Sequence, residues 1–154
     1  MIRVGVISDT HGLLRPQALA ALEGSDYIVH GGDIGNAGIL EELAAIAPLT
    51  VVRGNNDRGP WAHAVPATAR LQAGSVLIYV VHDIATIDID PAREGAQIVI
   101  FGHSHKPLAQ QRGPVLYLNP GSAGPRRFKL PITVAQLGIE GERIEARIIE
   151  LNTA

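Results

Sequence analysis

Aspartate, histidine and asparagine recur in this chain where apolar runs end. Asp9 and His11 stand in Ser8-Asp9-Thr10-His11-Gly12, just past the run Ile2–Ile7. Gly31, Gly32 and Asp33 follow Tyr27–His30, and Gly54, Asn55, Asn56 and Asp57 follow Leu49–Arg53. Val76–Val81 runs into His82, and Ile98–Phe101 into Gly102-His103-Ser104-His105. Carboxylate, imidazole and amide groups without a thiolate suit borderline or hard divalent ions such as Mn, Fe, Zn or Ni. The set Asp9, His11, Asp33, Asn55, His82, His103 and His105 exceeds the three or four protein ligands of one catalytic zinc. Two ions sharing one carboxylate would use all of it, and ion pairs roughly 3.5–4 Å apart are a known device for hydrolysing phosphate esters. Taken singly, a strand-end histidine is more often a hydrogen-bonded rim residue than a ligand. The joint placement reverses that weighting.

The elements that must position these groups follow from the same runs. Each of the five is nearly continuously apolar, the pattern of strands covered on both faces. Between the first two, Pro16, inward-facing Leu19 and Leu22, and a stop at Gly24 predict a helix. Between the second and third, Asn36 as cap, Ile39, Leu40, Leu43 and Ile46 at helical spacing, and Pro48 predict another. Strand and helix in alternation imply parallel pairing with right-handed crossovers. Ligands of open α/β sheets bind beyond the carboxyl ends of strands, so five strands deliver the polar set to one rim. Glycines beside Asp33, Asn55 and His103 permit the tight turns that aiming a ligand requires. In the last third, Val115–Leu118, Ile132–Leu137 and Arg143–Glu150 read as short strands joined by Gly- and Pro-containing turns, so antiparallel pairing is expected there. The fold expected is α/β, with two stacked sheets.

Composition narrows the function classes. The 154 residues fit one domain over 1–154, and 46% hydrophobic against 18% charged residues exclude a disordered chain. The formal charge of -2 gives no basic excess for nucleic acid or a lipid surface. Aromatics at 4% argue against a stacking platform for single strands. Cysteine is absent. No secretory leader is visible and no apolar run approaches the roughly 20 residues of a bilayer span, so a cytoplasmic protein without membrane attachment is expected.

Asp9-x-His11, Gly32-Asp33, Gly54-Asn55-x-Asp57, His82 and Gly102-His103-x-His105, in this order, resemble the calcineurin-like metallophosphoesterase superfamily. The short chain resembles its small single-domain branch, which includes bacterial and archaeal phosphodiesterases and a retromer subunit that shares the fold. The resemblance spans about residues 1–125. It implies two stacked mixed β-sheets flanked by helices, an αββα sandwich. It implies that Asp9, His11 and His105 hold one ion, that Asn55, His82 and His103 hold the other, and that Asp33 bridges them. A hydroxide between the ions would attack phosphorus in line. Manganese is the expected ion, with Fe, Zn or Ni as alternatives, and the expected substrate is a small phosphate ester, nucleotides included. Asp57 would orient a ligand from behind, and Asn119-Pro120-Gly121-Ser122 resembles a family loop near the site.

Two positions depart from the family pattern. Asn56 stands where many relatives carry a histidine that protonates the leaving group, and an amide cannot do so. The expected substrates therefore have leaving groups that need little protonation, such as aryl diesters or nucleotide esters. Asp83 follows His82 where glycine is common, and aspartate tolerates left-handed backbone better than most residues. Around the site, Asn56, Arg58 and Arg126 are the expected substrate contacts, with Arg53 and Arg127 as further phosphate clamps; arginines so placed are more often plain surface. His30 and His63 are expected to be structural, and Trp61 to pack. Asp88, Asp90 and Glu94 are expected to cap and decorate a short helix. Gly31–Gly35 lacks the lysine and spacing of a phosphate-binding P-loop. The rival reading is a metal-binding scaffold or interaction module with the same fold; the filled ligand positions favour catalysis. Activation of water against an amide is a third. A homo-oligomer would be in keeping with a chain of this kind.

Overall fold

Runs of Val and Ile become strands, and a computed structural model describing residues 1–153 arranges them in two five-stranded sheets. In chain order the elements are β1 (Ile2–Ile7), α1 (Pro16–Leu22), β2 (Tyr27–His30), α2 (Ala37–Ala44), β3 (Leu49–Val51), α3 (Pro60–His63), β4 (Thr68–Ala73) and β5 (Val76–Val81). They continue with β6 (Ala96–Ile100), β7 (Leu108–Arg112), β8 (Val115–Asn119), β9 (Thr133–Glu140) and β10 (Arg143–Glu150). The first sheet has the order β10-β9-β1-β2-β3 and the second β4-β5-β6-β8-β7. β1, β2 and β3 run parallel, as predicted, while β9 is antiparallel to β1 and β10 to β9.

Alternation within the apolar runs explains the layers. Val76, Ile78 and Val80 of β5 and Ile98 and Ile100 of β6 face Val4, Val6, Val29 and Leu137 between the sheets. Tyr79, Val81, Val99 and Phe101 point the other way, where Ile84, Ile87 and Ile89 cover them. Ile7 and Ile28 pack outward on Ala18 and Leu22 of α1 and Ile39 and Leu43 of α2. Pro16 opens α1, and Asn36 Oδ1 accepts the Ile39 N–H (3.2 Å) to cap α2, as the sequence predicts.

Three local expectations are corrected, and two polar strands are added. β8 is parallel to β6 and antiparallel only to β7, because the polar hairpin partner β7 carries the chain back before β8 begins. β7 is exposed throughout, and β4 is half exposed, so neither presents an apolar run to mark it. The acidic run builds no helix. A 3-10 turn at Ile84–Thr86 precedes it, capped by Asp83, and Asp90 and Glu94 close a single turn. The third run leaves the sheet at Val51, two residues before Arg53. No helix among the described residues is long and apolar enough to cross a membrane.

Candidate metal centre

Carboxyl ends of strands from both sheets meet at one rim, and the backbone there is unusual. Asp9, His11, Asp33, His103 and His105 all have positive φ, between 47° and 71°, and Phe128 is the only other non-glycine among the described residues that does. The left-handed conformation costs an L-residue roughly 1–2 kcal/mol, so five such residues at one rim must be held by their surroundings. The strand ladder supplies part of the hold by continuing into the loops. Asp9 N–H donates to Gly32 C=O (3.0 Å), His11 N–H to Asp33 C=O (2.9 Å) and Gly12 N–H to Ile34 C=O (2.9 Å). Gly54 lies so close to Asp33 that a Cβ would collide with its backbone nitrogen and carboxylate.

The seven side chains converge. His11 Nε2 lies 3.3 Å from His105 Nε2, and these nitrogens lie 3.9 and 3.5 Å from Asp9 Oδ1. Asp33 Oδ2 stands between this cluster and a second, 3.6 Å from His11 Nε2 and 3.4 Å from His82 Nε2. Asn55 Oδ1 lies 2.9 Å from His82 Nε2 and 3.2 Å from His103 Nδ1. His82 Nδ1–H donates to Gly31 C=O (2.7 Å), which turns Nε2 toward Asp33 and Asn55.

Asp9 Oδ1 is buried without a hydrogen-bond partner among the described residues, while Oδ2 accepts from Ser8 Oγ–H (2.8 Å) and His103 N–H (3.2 Å). Burial pushes the Asp9 carboxyl up to about 6, against the lowering influence of His82. Burial also pushes His105 down to about 4, helped by the Arg127 charge, and lowers His11 in the same way. Asp33 moves opposite to its burial: the bond to His82, the Asn56 N–H and nearby imidazole charge hold it well below the usual carboxylate range. His82 also moves against its burial, raised by Asp33 and Asp9. A buried carboxylate oxygen without a hydrogen-bond partner among the described residues, set close to the imidazole nitrogens of His11 and His105, is a donor set that fits divalent metal ions.

Around this core the structure sorts the remaining candidates. Asp57 is buried and accepts from Ile34 N–H (2.9 Å), Gly35 N–H (3.1 Å) and Gly54 N–H (2.9 Å), so it clamps the loops carrying Asp33 and Asn55 to each other. Asn56 binds Asp33 through its backbone N–H (2.8 Å) and its side-chain amide (3.1 Å). Arg58 is exposed, Arg126 Nη1 donates to Leu130 C=O (3.2 Å), and Arg53 Nη1 to Val65 C=O (3.3 Å). His30 is structural, as expected: Nδ1 accepts Gly32 N–H (3.0 Å), so Nε2–H donates to Thr10 Oγ1 (3.0 Å). His63 ends α3, exposed. Sequence reasoning gave no role to Asn119 and Ser122. Asn119 Nδ2 donates to Gly102 C=O and Ser104 Oγ (both 3.1 Å), and Ser122 Oγ–H to Asp9 C=O (3.0 Å). The Asn119-Pro120-Gly121-Ser122 likeness was the signal that could have found them.

Known proteins resemble this chain in sequence and in fold. The chain is 33% identical over 158 positions to a probable metallophosphoesterase of Methanothermobacter thermautotrophicus, covering 95% of this chain and 91% of that protein. It is 27% identical over 152 positions to the phosphodiesterase YfcE of Escherichia coli, covering 79% of each. The backbone matches the crystal structure of Vps29 from Chaetomium thermophilum with a TM-score of 0.78 at 16% identity, over 98% of this chain and 97% of that one. Residues 2–142 match the calcineurin-like phosphoesterase superfamily domain, and the chain belongs to that superfamily.

Proposed function

We propose that this protein is a dinuclear metal-dependent phosphoesterase with a preference for phosphodiesters. The observation that carries the reading is the buried, unpartnered Asp9 Oδ1 facing the nitrogens of His11 and His105, with Asp33 Oδ2 between that cluster and the one around Asn55. Asp9, His11 and His105 would hold one ion, Asn55, His82 and His103 the other, and Asp33 would be shared. When bound, such an ion pair supplies a water acidified toward neutrality and positive charge for the phosphoryl oxygens, with manganese the proposed metal and Fe, Zn or Ni as alternatives.

The protein's own groups prepare that chemistry. Asp33 is held ionised, and His11 and His105 are held neutral, which are the ligating states near neutral pH. Asn56 braces both oxygens of Asp33 and has no proton to give a leaving group. That favours aryl or nucleotide leaving groups, and the relative named phosphodiesterase supports the diester preference. Two carboxylates against two dications leave a cationic pocket for a small phosphate ester. The test couples metal analysis of the purified protein to turnover of an aryl phosphodiester with added manganese. About two ions per chain and turnover lost in Asp33→Asn are expected. The likeness to Vps29 favours a second reading, a metal-binding interaction module. Bound ions with no turnover of any phosphate ester would select it.

A further inference from the structure

Phe128 combines two features that work against stability. The residue is 93% exposed, the most of any large apolar residue described, and its backbone is left-handed at φ 55°. It sits in Pro125-Arg126-Arg127-Phe128-Lys129, a cationic stretch without an acidic residue in a chain of net charge -2. This loop is anchored to the candidate metal centre. Ala123 N–H donates to Ser8 C=O (3.1 Å), Arg15 Nη2 to Gly124 C=O (3.2 Å), and a Cβ at Gly124 would collide with the carbonyls of Asp9 and Thr10. At the far end Leu130 N–H donates to Arg127 C=O (3.2 Å), closing a turn that carries the ring. Phe128, Lys129 and Leu130 line a groove with Ser104 and Lys106, the two neighbours of His105. The Arg127 guanidinium is near enough to act electrostatically on His11 and His105.

We propose that this loop is a recognition site for the aromatic part of a phosphate ester: Phe128 stacks on a nucleobase or aryl ring, while Arg127 and Lys106 draw the phosphate toward the cluster of Asp9 and His105. The proposal rests on the phosphoesterase reading. A stable protein interface takes roughly 800 Å² from each partner, whereas this loop offers one ring among cations. That composition fits a small aromatic anion. Stacking accepts any flat ring, so the site selects a substrate class and not one base.

Two measurements on the manganese-loaded full chain test it. Calorimetric titration with adenosine 5′-monophosphate and with ribose 5-phosphate compares ligands that differ in the base. The wild type should bind the nucleotide roughly tenfold more tightly, Phe128→Tyr should keep that preference and Phe128→Ala should lose it. Kinetics then compare a nucleoside 5′-(4-nitrophenyl) phosphate with methyl 4-nitrophenyl phosphate, which share a leaving group. Here kcat/KM should favour the nucleoside ester in the wild type, and Phe128→Ala should lower only that value. Equal binding of the two ligands by the wild type, or an unchanged preference in Phe128→Ala, would overturn the recognition site and leave the ring to contacts with another macromolecule. Nucleotide preference without turnover of any ester would keep the site and remove the hydrolytic reading.

Discussion

The two side-chain clusters at the rim differ in how firmly the protein holds them. Around Asp9, the His105 side chain is only 5% exposed, and Ser8, His103 N–H and Ser122 fix the aspartate from three sides. Around Asn55, the His103 side chain is 45% exposed, and its outer nitrogen lies 3.8 Å from the Asp83 carboxylate. The first cluster is buried, whereas the second opens to the surface at His103. An ion at the first should exchange slowly and one at the second readily, so partial chelation should leave the Asp9 cluster loaded.

Asp33 is the group the two share, so its removal should erase the contrast. Asp33→Asn is expected to lower kcat by roughly a thousandfold or more and to reduce bound metal at both clusters, read by steady-state kinetics and elemental analysis. Asp57→Ala should act next most strongly. It leaves three backbone N–H groups without their acceptor, and a loss of roughly 2–4 kcal/mol in denaturant unfolding is expected. Because Asp57 ties the loop of Asn55 to that of Asp33, metal should be lost first from the second cluster.

Acidity offers a graded test. Asp9, pushed up to about 6, must shed a proton to bind metal below that pH, whereas His105, pushed down to about 4, is already free. Affinity at the first cluster should therefore fall only below about pH 6, by up to tenfold per pH unit. His82 is raised above its ordinary value and must release a proton at higher pH, so the second cluster should weaken first on acidification. Titrations of manganese binding at several pH values would show two separated transitions, and a single shared one would break the contrast. The smallest effect is expected for Asp83→Gly, a few-fold loss of affinity confined to the second ion.

Much of this arrangement was legible because it is local. A continuous run of Val and Ile marks a doubly covered strand, and the first polar residues beyond it lie at the strand's carboxyl end by necessity. That logic located all seven side chains. The same logic missed β4 and β7, whose polar edge strands carry no apolar signature, and with β7 unseen the direction of β8 was read wrongly. The left-handed backbone of Asp9, His11, Asp33, His103 and His105 was also hidden, since aspartate and histidine do not announce it as glycine does. The Asn56 amide bonds to Asp33, a contact between loops that sequence spacing does not encode. The clamp made by Asp57 joins the same two loops and was legible only as a general supporting role.

Asp9, His11, Asp33 and Asn55 follow strands of the first sheet, whereas His82, His103 and His105 follow strands of the second. Cations seated among them would rivet the two halves of the sandwich along their upper seam. Cohesion of the whole chain would then track the supply of metal, with thawing of the seam upon chelation and an unfolding temperature that climbs with ion concentration.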